Sequence, residues 1–150
     1  MSNSKAQAQA QLDCIYEMVQ AYEMDWSRLE ELRENADDLD EEDTLELREL
    51  NEIAGGYEDQ DAVIEAMLDN ALSCEVRSGW SDNPEGLTAE EFRIVLCTGG
   101  PHVEIRGELG RFNEPDLAWI QYNDWGTPMT TLVSDSDALL TYCQRFYFGE

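Results

Sequence analysis

Apolar positions at Leu12, Ile15, Val19, Tyr22, Trp26 and Leu29 alternate by three and four, and Ala36 continues the register past a polar Arg33. This is the a/d spacing of a heptad seam, and it predicts a long first helix with coiled-coil-like packing over about three and a half heptads. A second helix is expected over Glu41–Ala54, where Leu45, Leu47, Leu50, Ile53 and Ala54 are available for burial. Gly55 and Gly56 supply its stop, because glycine takes the left-handed turn that ends a helix. Joined near residues 36–40, the two helices would fold back as an antiparallel hairpin with an acid-rich tip. A shorter third helix fits residues 61–68, with Val63, Ala66 and Met67 inward.

Beyond Asn70 the apolar period drops towards two, the repeat of a strand with one buried face. Residues 72–77 alternate as a strand, and Thr88, Ala89, Glu90 and Glu91 have the form of a capping box that predicts one helical turn. Phe92, Ile94 and Leu96 alternate against Arg93, Val95 and Cys97. After the Thr98, Gly99, Gly100, Pro101 turn, Val103 and Ile105 alternate against Glu104 and Arg106, which completes a hairpin. A further strand holds Trp119, Ile120 and Tyr122, and residues 129–133 add an edge strand. Ser136 then caps a helix reaching Phe146, with Leu139, Leu140, Cys143 and Phe146 on one side. The 150 residues therefore read as α+β. Residues 1–70 form an acidic helical hairpin plus a short helix. Residues 71–150 form an antiparallel sheet of four or five strands with a C-terminal helix, and the two parts make one compact unit.

Charge changes that picture most. Acids outnumber bases 34 to 9, a formal net charge of −25, yet 42% of residues are hydrophobic, so the chain has the material for a core. The densest stretch, Glu34 to Glu46, carries eight acids in thirteen positions and no base. So few Lys and Arg exclude direct nucleic-acid binding, which needs cations to displace phosphate counterions, and an anionic membrane would repel the chain for the same reason. The opening residues lack the apolar core of a signal peptide, and no run reaches about 18 apolar residues, so a cytoplasmic protein is expected.

Signatures of chemistry are sparse. Cys14, Cys74, Cys97 and Cys143 have no zinc-like or CxxC spacing and read as buried, reduced thiols. His102 lies close enough to Cys97 to imagine a thiolate and base, but no third orienting group stands out. Gly99 and Gly100 open a strand and not a helix, which fits a turn and not a phosphate loop. Asp38, Asp40 and Glu42 loosely resemble a calcium loop, but Asp43 stands where its glycine belongs. No metal site, no cofactor and no enzymatic activity are expected.

The acids are then the informative feature. Duplex DNA carries about one charge per 1.7 Å of axis, and helical carboxylates rise by about 1.5 Å per residue. Glu30, Glu31, Glu34, Asp37 and Asp38 on one arm, and Asp40, Glu41, Glu42, Asp43, Glu46 and Glu49 on the other, are the candidate contacts of a nucleic-acid-like face. Such a face would occupy the basic groove of a nucleic-acid-binding host protein. The alternative is an adaptor that uses Trp80 and Trp125 as an aromatic contact, with a homodimer through the helical seam and acidity serving solubility.

The strings CEVRSGW, EFRIVLCTGGP, IRGEL, AWIQYNDWGTP and LLTYCQRFYFGE, with LDCIYEMVQAYE in the first helix, resemble a family of small acidic accessory proteins. These are encoded on proteobacterial plasmids, phages and integrated elements, and the likeness covers residues 70–150 and the first helix. The resemblance implies a mobile-element setting, where acidic proteins often inhibit host defence in the manner of anti-CRISPR and anti-restriction proteins. It carries over no catalytic residue.

Overall fold

The computed structural model of the chain describes residues 3–78, 89–124, 126–134 and 136–148. Four helices come first: α1 (Asn3–Glu23), α2 (Trp26–Glu34), α3 (Glu41–Ala54) and α4 (Gln60–Asp69). Five strands follow: β1 (Ser73–Ser78), β2 (Ala89–Cys97), β3 (His102–Leu109), β4 (Pro115–Asn123) and β5 (Thr130–Ser134). A last helix, α5, spans Asp137–Cys143. The strands form one antiparallel sheet in chain order, β1-β2-β3-β4-β5, so each strand pairs with its sequence neighbour.

Register sets which side chains meet. Ile94 pairs with Ile105, Ile105 with Ile120, and Ile120 with Val133, which draws an apolar line across the sheet. Phe92, Ile94, Leu96, Val103, Ile105, Ala118 and Ile120 share one buried face. Helices α1, α4 and α5 cover it, through Ala8, Leu12, Ile15 and Val19 of α1, Val63 and Met67 of α4, and Leu139, Tyr142 and Cys143 of α5. At roughly 1.5–3 kcal/mol for each fully buried aliphatic or aromatic side chain, this layer is the dominant stabilising term of the fold.

Polar groups inside the layer are satisfied. The fully buried Tyr142 donates its hydroxyl to the Met67 carbonyl at 3.0 Å and accepts from the Asn70 side-chain amide at 3.3 Å, tying α5 to the end of α4. Burial pushes that phenol well above its ordinary pKa.

Three expectations change here. The single long helix is broken at Met24 and Asp25. Asp25 accepts a hydrogen bond from the Arg28 amide at 3.0 Å and so starts α2. The carbonyls released at the end of α1 are taken up, Ala21 by the Trp26 indole N–H at 2.8 Å and Tyr22 by the Gln60 amide at 2.9 Å. A capping aspartate overrides an uninterrupted apolar period. The seam residues Leu12, Ile15 and Val19 are then buried against this chain's own sheet and helices, and are not available to a second copy.

The hairpin register also differs. Arg28 of α2 reaches Asp43 and Glu46 of α3, while Arg33, further along α2, reaches Asn51, further along α3. Partners advance in the same sense along both helices, which is not the register of an antiparallel pair. A 3₁₀ turn at Ala36–Asp38 separates the two.

The capping-box turn is absent from the described part of its span. Ala89, Glu90 and Glu91 belong to β2, and Thr88 lies outside the described residues. There Glu91 pairs with Arg77 and with Glu108, and the Arg77 guanidinium grips its carboxylate at 2.8 and 3.0 Å. Two ladders and a bidentate ion pair outweigh one isolated turn.

Gly107 is where the sheet tolerates no side chain. A Cβ there would run into the Leu117 carbonyl oxygen and the Phe92 ring, which packs tilted against Phe148 with centroids 4.8 Å apart. Gly107→Ala is expected to lower stability by about 1–3 kcal/mol through overpacking. Urea unfolding measures it, and an unchanged midpoint would show that the Leu117 backbone and Phe92 both give way freely.

Candidate functional site

Each acidic residue of the candidate face has a definite place. Asp40 is the N-cap of α3 and accepts from the Asp43 amide at 2.8 Å. Glu41, Glu42 and Asp43 fill the first turn, where the helix dipole favours negative charge. Gly55, at φ +61°, ends α3 as expected.

Arg28 holds α2 and α3 together. Its guanidinium meets Glu46 at 2.7 Å, Asp43 at 3.1 Å and Glu31 at 3.2 Å. The hydrogen bond from Arg28, and then its charge, keep the Glu46 carboxyl below its ordinary value, and the same bond raises the Arg28 guanidinium further. Beneath this cluster Leu29 and Leu32 of α2 are buried, outside the contiguous sheet core.

The structure thus divides the candidate residues. Asp40, Asp43, Glu46 and Glu31 serve the fold as cap and ion-pair partners. Glu30, Glu34, Asp37, Asp38, Glu41, Glu42 and Glu49 are exposed, and no side-chain hydrogen bond or ion pair engages them among the described residues. Those seven, spread over α2, the 3₁₀ turn and α3, are the part of the candidate face that these bonds do not use. Trp80 and Trp125, the alternative aromatic contact, lie outside the described residues.

The open face of the sheet holds what sequence reasoning missed. Glu104 sits on β3 between core residues Val103 and Ile105, so alternation places it on solvent's side, yet it is only 2% exposed. A buried carboxylate needs partners, and it has them. His102 Nε2 lies 2.7 Å from Oε1, the Gln121 amide donates to Oε2 at 3.0 Å, and Arg106 stands 3.6 Å away. The Trp119 indole holds Gln121 in turn at 3.0 Å. The sequence signal was the cross-strand pairing of Glu104 with Gln121, which only the register reveals.

The imagined Cys97 and His102 pair does not form. A β-bulge between Val95 and Cys97 turns Cys97 towards the core, where its thiol donates to the Pro101 carbonyl at 3.4 Å. His102 instead points to the open face. Burial holds for Cys143, whose thiol it pushes well up, but Cys14 and Cys74 are exposed. Cys14 lies off the buried stripe of α1 and Cys74 on the edge strand β1. Desolvation, followed by the nearby Glu17 and Glu75 charges, raises both thiols, which disfavours the reactive thiolate. Among the described residues, no group of three or more His, Cys, Asp and Glu is placed to hold a metal ion, and no helix is long and apolar enough to cross a membrane. Comparison with known proteins finds no match among families, curated proteins or solved structures.

A depressed carboxylate adds stability above its unfolded titration range and loses it as pH falls through its folded value. Acidification should therefore loosen α2 from α3 as Glu46 takes up a proton. In a carbon-detected NMR titration, Glu46 should titrate below the ordinary glutamate value, and Arg28→Met should raise it back towards that value. A Glu46 midpoint unmoved by that substitution would remove Arg28 as the clamp.

Proposed function

We propose that the protein is a binding protein that offers its acidic α2 and α3 region to the basic groove of a nucleic-acid-binding partner, in place of the nucleic acid. The observation that carries this reading is the set of seven exposed carboxylates without ion-pair partners among the described residues, in a chain of net charge −25. Like charges crowded together repel and cost stability, so a region that keeps them without counterions is suited to a partner that supplies the counterions. Cationic side chains in such a partner are steered to it over distance, and the attraction weakens as salt screens it. The resemblance to acidic accessory proteins of mobile elements supports a host defence factor of anti-CRISPR or anti-restriction type as the target.

The test separates binding from folding. Glu30, Glu34, Asp37, Asp38 and Glu49 lie outside the cap and the Arg28 cluster, so changing them to Gln or Asn should leave the urea midpoint unchanged or raise it. Relief of each like-charge pair contributes roughly 0.2–0.5 kcal/mol. The same variant should lose salt-sensitive, nucleic-acid-competed capture of a basic complex from host lysate. A variant that unfolds would make the acids structural, and one that captures the same complex equally well would place the contact elsewhere.

A further inference from the structure

The turn after β2 meets Asn123, Asp124, Gly126 and Met129 at one end of the open sheet face around a cleft of about 470 Å³. Thr98, His102 and Glu104 all line it, together with Gly99, Gly100 and Asn123. Within it the His102 ring is held at both nitrogens: Nε2 is 2.7 Å from Glu104 Oε1, and Nδ1 is 3.3 Å from Thr98 Oγ1. As a carboxylate Glu104 only accepts, so the ring proton belongs on Nε2, and a neutral imidazole then presents a bare Nδ1 to the Thr98 hydroxyl. The carboxylate is buried and fixed from its other side by Gln121 and Arg106, while Thr98 is exposed. A hydroxyl, a base against it and a buried carboxylate orienting the base are the three parts of an activated oxygen nucleophile.

From this geometry we infer that the cleft is an acyl-transfer site, with Thr98 as nucleophile, His102 as general base and Glu104 as the residue that positions His102. His102 Nδ1 takes the Thr98 proton as Oγ1 bonds to the carbonyl carbon of an ester. The carbon to alkoxy-oxygen bond then breaks, and the imidazolium gives that proton to the leaving alcohol. Water, deprotonated by the same nitrogen, hydrolyses the acyl-threonine, releases the acid and restores the hydroxyl. Gly99 and Gly100 line the cleft beside the nucleophile. Arg93 and Glu104 both line the cleft, while the chain's net charge of −25 disfavours the approach of an anion, so the ester is neutral.

The probe is para-nitrophenyl acetate with the full chain, followed by intact and peptide mass spectrometry. The expected results are turnover, an acetyl group trapped on the peptide that contains Thr98, and a loss of at least about 100-fold on Thr98→Ala or His102→Gln. Thr98→Ser keeps the activity. Glu104→Gln lowers kcat with KM unchanged, the signature of a misoriented base and not of a damaged pocket. Because Thr98 is exposed, its replacement leaves the fold intact and carries the test even where His102→Gln destabilises Glu104. Hydrolysis by the wild type no faster than by Thr98→Ala, or acetylation elsewhere only, overturns the inference. Neither outcome bears on the acidic helices, whose role stands or falls by partner capture.

Discussion

One face of the sheet, lined by Phe92, Ile94, Ile105 and Ile120, has to be taken out of water, and the rest of the chain is arranged around that need. Helix α1 lies across it because Leu12, Ile15 and Val19 form a stripe of the right period. Helices α4 and α5 complete the cover, and the Tyr142 hydroxyl locks them together at the Met67 carbonyl. Gly107 belongs to the same constraint, since Phe92 occupies the space its side chain would need. The opposite face is left without a helical layer over the described strands, and polar chemistry collects there.

Charge obeys a second logic. Helices α2 and α3 bury little, and one arginine gathers three carboxylates to hold them together. Exposed ion pairs contribute little individually, so this attachment rests mainly on the buried Leu29, Leu32 and Ala54, a smaller apolar set than the sheet layer. The remaining acids add repulsion. A strongly packed body thus carries a marginally held, highly charged appendage. That division suits a surface whose stabilising counterions come from another molecule.

Much of this was legible from local signals. Asp40 and Gly55 bound α3 at the positions their chemistry indicates, and the alternation from Phe92 to Ile105 locates the central hairpin. Ser136 caps the last helix as its hydroxyl suggests, although the helix ends at Cys143 and not Phe146. What escaped was set by competition between local and long-range terms. Asp25 reads as a polar position between the seam residues Tyr22 and Trp26 until its capping bond is seen. The capping-box pattern at Glu91 yields to the ladder and to Arg77, which lies fourteen residues away. Cys97 and His102 look adjacent in sequence, but the bulge puts them on opposite faces. Glu104 alternates like a surface residue, and its burial depends on Gln121 and Arg106, partners that only strand register supplies.

The central claim is that the seven exposed acids outside the Arg28 cluster and the α3 cap are retained against the interest of the fold. Residue-resolved hydrogen exchange in low and high sodium chloride tests it most directly. The account predicts that screening raises protection within residues 26–54, while amides of β2, β3, β4 and α1 change little. Lower protection of residues 26–54 in high salt would contradict it, because those carboxylates would then be net contributors to folding.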